Sequence, residues 1–139
     1  MAAKKRVLVV DDQPGILDLL ADVLLTSGYE VDVATNGQKA MVALSQGCFD
    51  LVISDLHMPQ WSGLDLLHWM KANDRKEKVI VMTGSADYQE LMDGELYPVE
   101  ALLRKPFRIP AFLETVESLL PRKENGVKRQ WNRARRGAA

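Results

Sequence analysis

Residues 6–20 read RVLVVDDQPGILDLL, and this stretch decides the fold. Arg6–Val10 is an apolar run ending at Asp11-Asp12, as expected of a strand buried on both faces. Pro14 suits a first helical turn. Beyond it Ile16, Leu17, Leu20, Val23 and Leu24 recur at helical spacing until Gly28, a helix stop. The same change of period, from strand to helix, repeats outward along the chain. Tyr29–Ala34 alternates as a second strand, and Asn36 or Thr35 can cap a short helix carrying Ala40, Met41 and Leu44. Leu51–Ser54 is a third strand closed by Asp55, and Leu64, Leu67 and Met70 give a helical pattern after Gly63. Val79–Met82 is a fourth strand closed by Thr83-Gly84, and Ala101–Leu103 a fifth followed by Lys105-Pro106. Residues 86–98 carry Gly94 and Pro98, which interrupt any helix there. Ile109–Leu120 is a final amphipathic helix between Pro110 and Pro121. Strands alternating with helices through short connections mean crossover units, hence a doubly wound α/β domain with a five-stranded parallel sheet and helices on both faces.

The chain has 139 residues, 47% hydrophobic and 27% charged, which fits one globular domain and excludes disordered and collagen-like classes. Its longest apolar runs are far too short to span a bilayer. Met1–Arg6 is basic but has no cleavage site, so it does not read as a signal peptide. Cys48 is alone, which suits a reducing cytosol; we expect it as a small, buried or half-buried apolar residue. The net charge of −1 hides a split: residues 1–121 form an acidic domain, and 122–139 a basic tail or linker remnant.

In an open parallel sheet, ligands bind at the carboxyl ends of the strands, near the point where strand order reverses. Four of the five expected strands end in Asp11-Asp12, Asp55, Thr83 and Lys105, so the topology brings these residues to one edge. Three carboxylates there repel one another unless a cation or a proton intervenes. A hard divalent ion such as Mg²⁺ suits oxygen ligands of this kind. A carboxylate at such a site can attack phosphorus, while a Lys and a Thr hydroxyl hold phosphoryl oxygens. The set reads as a phosphoryl-accepting site. His57 and His68, eleven apart, lack the spacing of a metal pair and read as surface or packing residues.

The segments VLVVDDQPGILDLL, DLVISDLHMPQWSGLDLL, VIVMTGSAD and LLRKPF, in that order from about residue 5 to 120, resemble the receiver domain of two-component response regulators. The resemblance implies a strand order of 2-1-3-4-5 and a phosphorylation-dependent signalling switch. Asp55 would accept a phosphoryl group from a sensor histidine kinase or histidine phosphotransfer protein. Asp12, Asp55 and the backbone carbonyl of His57 would ligate Mg²⁺, with Asp11 acting mainly through a metal-bound water. Thr83 and Lys105 would bind phosphoryl oxygens, and the Lys105-Pro106 peptide would be cis. Positions 57 and 85, here His57 and Ser85, vary among relatives and tune the lifetime of the aspartyl phosphate. A receiver catalyses only its own phosphorylation and dephosphorylation, so an enzyme acting on an outside substrate is not implied. The resemblance also implies a bacterial, cytoplasmic protein that is a monomer or a phosphorylation-dependent dimer.

Two positions depart from the family. Leu102 stands three before the lysine, where relatives carry a switching Tyr or Phe, and the helix expected within 86–98 is weakly written. Output is therefore expected not to use an aromatic switch. The tail, with Trp131 among Arg and Lys, reads as a flexible extension; contact with nucleic acid or another acidic surface is the sharper alternative. Other readings are a receiver cut from a regulator whose output domain followed residue 121, or a Mg²⁺-dependent phosphohydrolase. Hydrolases of the haloacid-dehalogenase kind carry a second Asp two after the nucleophile, where this chain has His57. A nucleotide-binding domain fails because two acids, and no glycine-rich cradle, follow the first strand.

Overall fold

The computed structural model describes residues 4–84 and 97–121. Five strands form one parallel sheet: β1 (Arg6–Val10), β2 (Glu30–Ala34), β3 (Leu51–Asp55), β4 (Lys78–Thr83) and β5 (Ala101–Arg104). Their order is β2-β1-β3-β4-β5, as expected. The helices are α1 (Pro14–Thr26), α2 (Gly37–Gln46), α3 (Gly63–Ala72) and α4 (Ile109–Leu119). The weakly written 86–98 segment, Ser85 and the tail lie wholly or mostly outside the described residues.

β1 and β3 read as unbroken apolar runs because both faces are covered. On one face Leu8, Val10, Val52 and Val81 meet Ala40 and Leu44 of α2 and Leu66, Leu67 and Met70 of α3. On the other, Val7, Val9, Ile53, Ile80 and Met82 meet Leu17, Leu20 and Leu24 of α1 and Phe112 and Val116 of α4. α1 starts with Pro14, and Gly28 just past its end takes φ 98°, a conformation glycine adopts without the clash a Cβ would make. Asn36 caps α2 by accepting from the Lys39 N–H, and Ser62 and Asp65 form a reciprocal capping box on α3.

α3 buries Gly63, Leu66, Leu67 and Met70, and Leu64 is partly buried and packed against the same core, so the expected pattern holds with Leu66 added. One expectation needs correction. Cys48 is exposed; in the connection after α2 the apolar position is taken by Phe49, which is buried beneath the Arg6 guanidinium. The first connection runs from β1 to β2 on one side, and β3 then returns to the other side of β1. The strand order thus reverses at the carboxyl ends of β1 and β3.

Candidate functional site

β1 delivers Asp11 and Asp12 to that reversal point, β3 ends in Asp55, β4 ends in Thr83, and Lys105 follows β5. Hydrogen bonds continue the ladder past the strand ends and hold the loops there. Asp11 donates its N–H to the Ala34 carbonyl (3.1 Å), Leu56 to Met82 (2.8 Å) and Lys105 to Thr83 (2.8 Å). The Lys105-Pro106 peptide is cis, as expected.

Asp11 and Thr83 are fully buried, Asp55 is nearly so, and Asp12 faces solvent. Lys105 Nζ lies 2.7 Å from Asp11 Oδ2 and 3.0 Å from Asp55 Oδ2. The second oxygen of each buried carboxylate accepts a backbone N–H, Gln13 for Asp11 (2.9 Å) and His57 for Asp55 (3.2 Å). Burial alone would push the Lys105 ammonium's pKa down; its bonds to Asp11 and Asp55 outweigh burial and raise it. Lys105 is therefore a fixed cation.

Asp11, Asp12 and Asp55 each present one oxygen within 4.8 Å of the others. Three carboxylates and one ammonium leave a formal surplus of two negative charges in a partly buried corner. An all-oxygen donor set with that surplus fits a hard divalent cation such as Mg²⁺. The expected residues Asp11, Asp12, Asp55, Thr83 and Lys105 thus gather at one edge.

The histidines do not gather with them. The His57 and His68 side chains are both exposed. Leu102 is 38% exposed on β5, where the alternation turns Leu103 into the core instead. Sequence reasoning missed the backbone donor Gln13 and the role of two glycines. A Cβ on Gly63 would lie 2.4 Å from the Asp55 carbonyl oxygen, and one on Gly37 would lie 3.0 Å from the carbonyl oxygens of Trp61 and Ser62. Their placement at the start of helices, where glycine has no propensity advantage over alanine, was the available signal.

The family model for the response regulator receiver domain matches residues 7–117. Sporulation initiation phosphotransferase F of Bacillus subtilis is 32% identical over 121 residues, covering 87% of this chain and 98% of that protein. The polar-differentiation response regulator DivK of Brucella anthropi is 33% identical, over 84% of this chain and 96% of its own. Among solved structures, response regulator TrrA of Thermotoga maritima in complex with Mg²⁺-BeF is 35% identical with a TM-score of 0.74, covering 84% of this chain and 99% of that one. Chemotaxis protein CheY4 of Vibrio cholerae gives a TM-score of 0.78 at 27% identity, over 85% of this chain and 100% of that one.

Proposed function

This chain belongs to the response regulator receiver domain family, and we propose that it is a bacterial signalling switch whose Asp55 accepts a phosphoryl group from a phosphohistidine. The observation that carries the reading is the Lys105 ammonium bridging Asp11 and Asp55 beside a surplus of negative charge. An Asp55 oxygen attacks phosphorus, the new O–P bond forms, and the P–N bond breaks as the donor imidazole leaves. Asp12, Asp55 and the His57 carbonyl would hold Mg²⁺, with Asp11 behind a water. Bound there, the metal neutralises charge on the transferring group. Lys105 then passes from the Asp55 carboxylate to a phosphoryl oxygen, and the Thr83 hydroxyl holds another. The reaction is self-modification, with no outside substrate turned over.

The donor is a sensor histidine kinase or a histidine phosphotransfer protein. Beside Lys105, a groove of about 400 Å³ is lined by Gln13, Ile16, Leu19, Pro106 and Phe107. Leu19 there is 50% exposed. Apolar surface at the mouth of an acidic pocket supports docking of a protein donor rather than access by small molecules alone. Among the described residues no helix is long and apolar enough to cross a membrane. Together with the solitary Cys48, this supports a cytoplasmic location.

Intact mass after incubation with Mg²⁺ and acetyl phosphate tests the reading. One phosphoryl unit is expected on wild type and none on Asp55→Asn. Equal labelling of both would remove Asp55 from its role.

A further inference from the structure

The two sides of the acidic pocket come from different strands, so something must fix their separation. Asp11 leaves β1 and Asp55 ends β3, and the segment Ala34–Gly37 touches the main chain beyond both. The Ala34 carbonyl accepts the Asp11 N–H at 3.1 Å, and three residues later the Gly37 N–H donates to the Trp61 carbonyl at 3.1 Å. Trp61 lies in the loop that leaves Asp55 and enters α3.

Gly37 is buried at the first position of α2, and its φ does not lie in the left-handed region, so the backbone there does not require glycine. The requirement is space. A Cβ would meet the Ser62 and Trp61 carbonyl oxygens at 3.0 Å and Trp61 Cβ at 3.1 Å. None of these is the far end of a flexible side chain, so the loop itself would have to move. That loop has little slack. Gln60 already sits at φ 66°, Ser62 is tied into the α3 cap, and Gly63 abuts the Asp55 carbonyl while donating to Leu56 O at 3.0 Å. A push at residues 61–62 is therefore passed to Asp55.

We propose that Gly37 is a positioning residue: its missing side chain sets the spacing between the Asp11 and Asp55 halves of the pocket and hence the affinity for Mg²⁺. The proposal rests on the Mg²⁺-binding reading above and deepens it. Residues that orient metal ligands without touching the metal typically change affinity 10–100-fold when altered. A shift of a few tenths of an ångström places Gly37 near the lower end.

The test uses the full chain, wild type against Gly37→Ala, with Mg²⁺ alone as titrant in calorimetry and backbone amide resonances recorded without metal. The expected result is Mg²⁺ binding weakened about tenfold, with the Asp11 and Gly63 amides displaced and cooperative unfolding retained. Unchanged affinity, or unmoved amides at Asp11 and Gly63, overturns the proposal. Should Gly37→Ala fail to fold, Asn36→Ala loosens the same helix start by deleting its cap and adds no atom. It is expected to move the same amides and weaken Mg²⁺ binding, and wild-type behaviour in it overturns the proposal. A wild type that bound no Mg²⁺ would overturn the metal reading as well, a result distinct from equal binding by wild type and variant.

Discussion

Two buried charge clusters, one at each end of the sheet, treat charge in opposite ways. At the amino end, Glu77 is buried and meets Arg75 in a two-pronged pair, with Nη2–Oε2 at 2.6 Å and Nε–Oε1 at 3.2 Å. The same guanidinium donates to the Leu44 carbonyl at 2.8 Å and lies 5.6 Å from the Trp69 ring, and Tyr97 donates its hydroxyl to the Glu77 carbonyl at 2.6 Å. The hydrogen bond to Glu77 comes first among the causes that raise the Arg75 pKa. One acid faces one base, and the backbone takes up the remaining bonds. At the carboxyl end a single ammonium serves two buried carboxylates with a third beside them. The matched pair is a structural fastening; under the proposed function, the mismatched cluster keeps a charge surplus for an incoming cation and phosphoryl group. Among the described residues no buried side-chain polar atom lacks a hydrogen-bond partner, so the difference lies in charge balance and not in missing bonds.

The largest expected effect tests the mismatched end. Lys105→Met removes the cation that bridges Asp11 and Asp55 and should slow phosphoryl acceptance about 10²- to 10³-fold, as loss of one charge-stabilising donor typically does. Mg²⁺ binding should tighten in the same variant, because the ammonium no longer competes for Asp11 and Asp55. Calorimetry and rapid-quench labelling measure the two effects, and weaker Mg²⁺ binding would contradict the charge account. Next is Glu77→Ala, which removes the carboxylate partner of the half-buried Arg75 and should cost about 1–3 kcal/mol in urea unfolding while leaving Mg²⁺ affinity unchanged. A loss of Mg²⁺ affinity there would erase the division between the two ends.

How much of this was legible beforehand follows the range of each interaction. The strand runs end in Asp11-Asp12, Asp55 and Thr83 because local apolar patterning stops where a side chain must reach the site, and that is visible in a short window. The 3.6-residue period located α3 through Leu64, Leu67 and Met70 but left out Leu66, which is buried more deeply than Leu64, since what packs on the helix sets its face, a tertiary choice. Lys105 bridges residues 94 and 50 positions away, and the Gly37–Trp61 contact likewise joins two elements. No periodicity marks either. Cys48 was misplaced for a related reason, because hydrophobicity alone does not say which of two neighbours, Cys48 or Phe49, turns inward.

Smaller effects sharpen the comparison further. The Tyr97 phenol is pushed up to about 12 by burial, then by the Glu77 charge. Its folded-state value is raised, so its contribution to stability is intact below the unfolded value near 10 and is lost as pH rises towards 12. Stability measured at about pH 9 and about pH 11 should fall, and Tyr97→Phe should remove part of that slope while costing about 1 kcal/mol at neutral pH. Smallest is Gly15→Ala. A Cβ there meets nothing within 4 Å, so in α1 it should stabilise by about 0.5–1 kcal/mol, the opposite of the crowded Gly37. Thermal melts of the two variants compare them directly.

The most direct test of the central claim is to locate the phosphoryl group after transfer from a phosphohistidine donor. Reduction of the labelled protein with borohydride converts an aspartyl phosphate to homoserine, which peptide mapping identifies by position. Homoserine at position 55, formed only when Mg²⁺ is present, is the predicted result. Homoserine at position 11 or 12, or labelling at 55 that is indifferent to Mg²⁺, would contradict it.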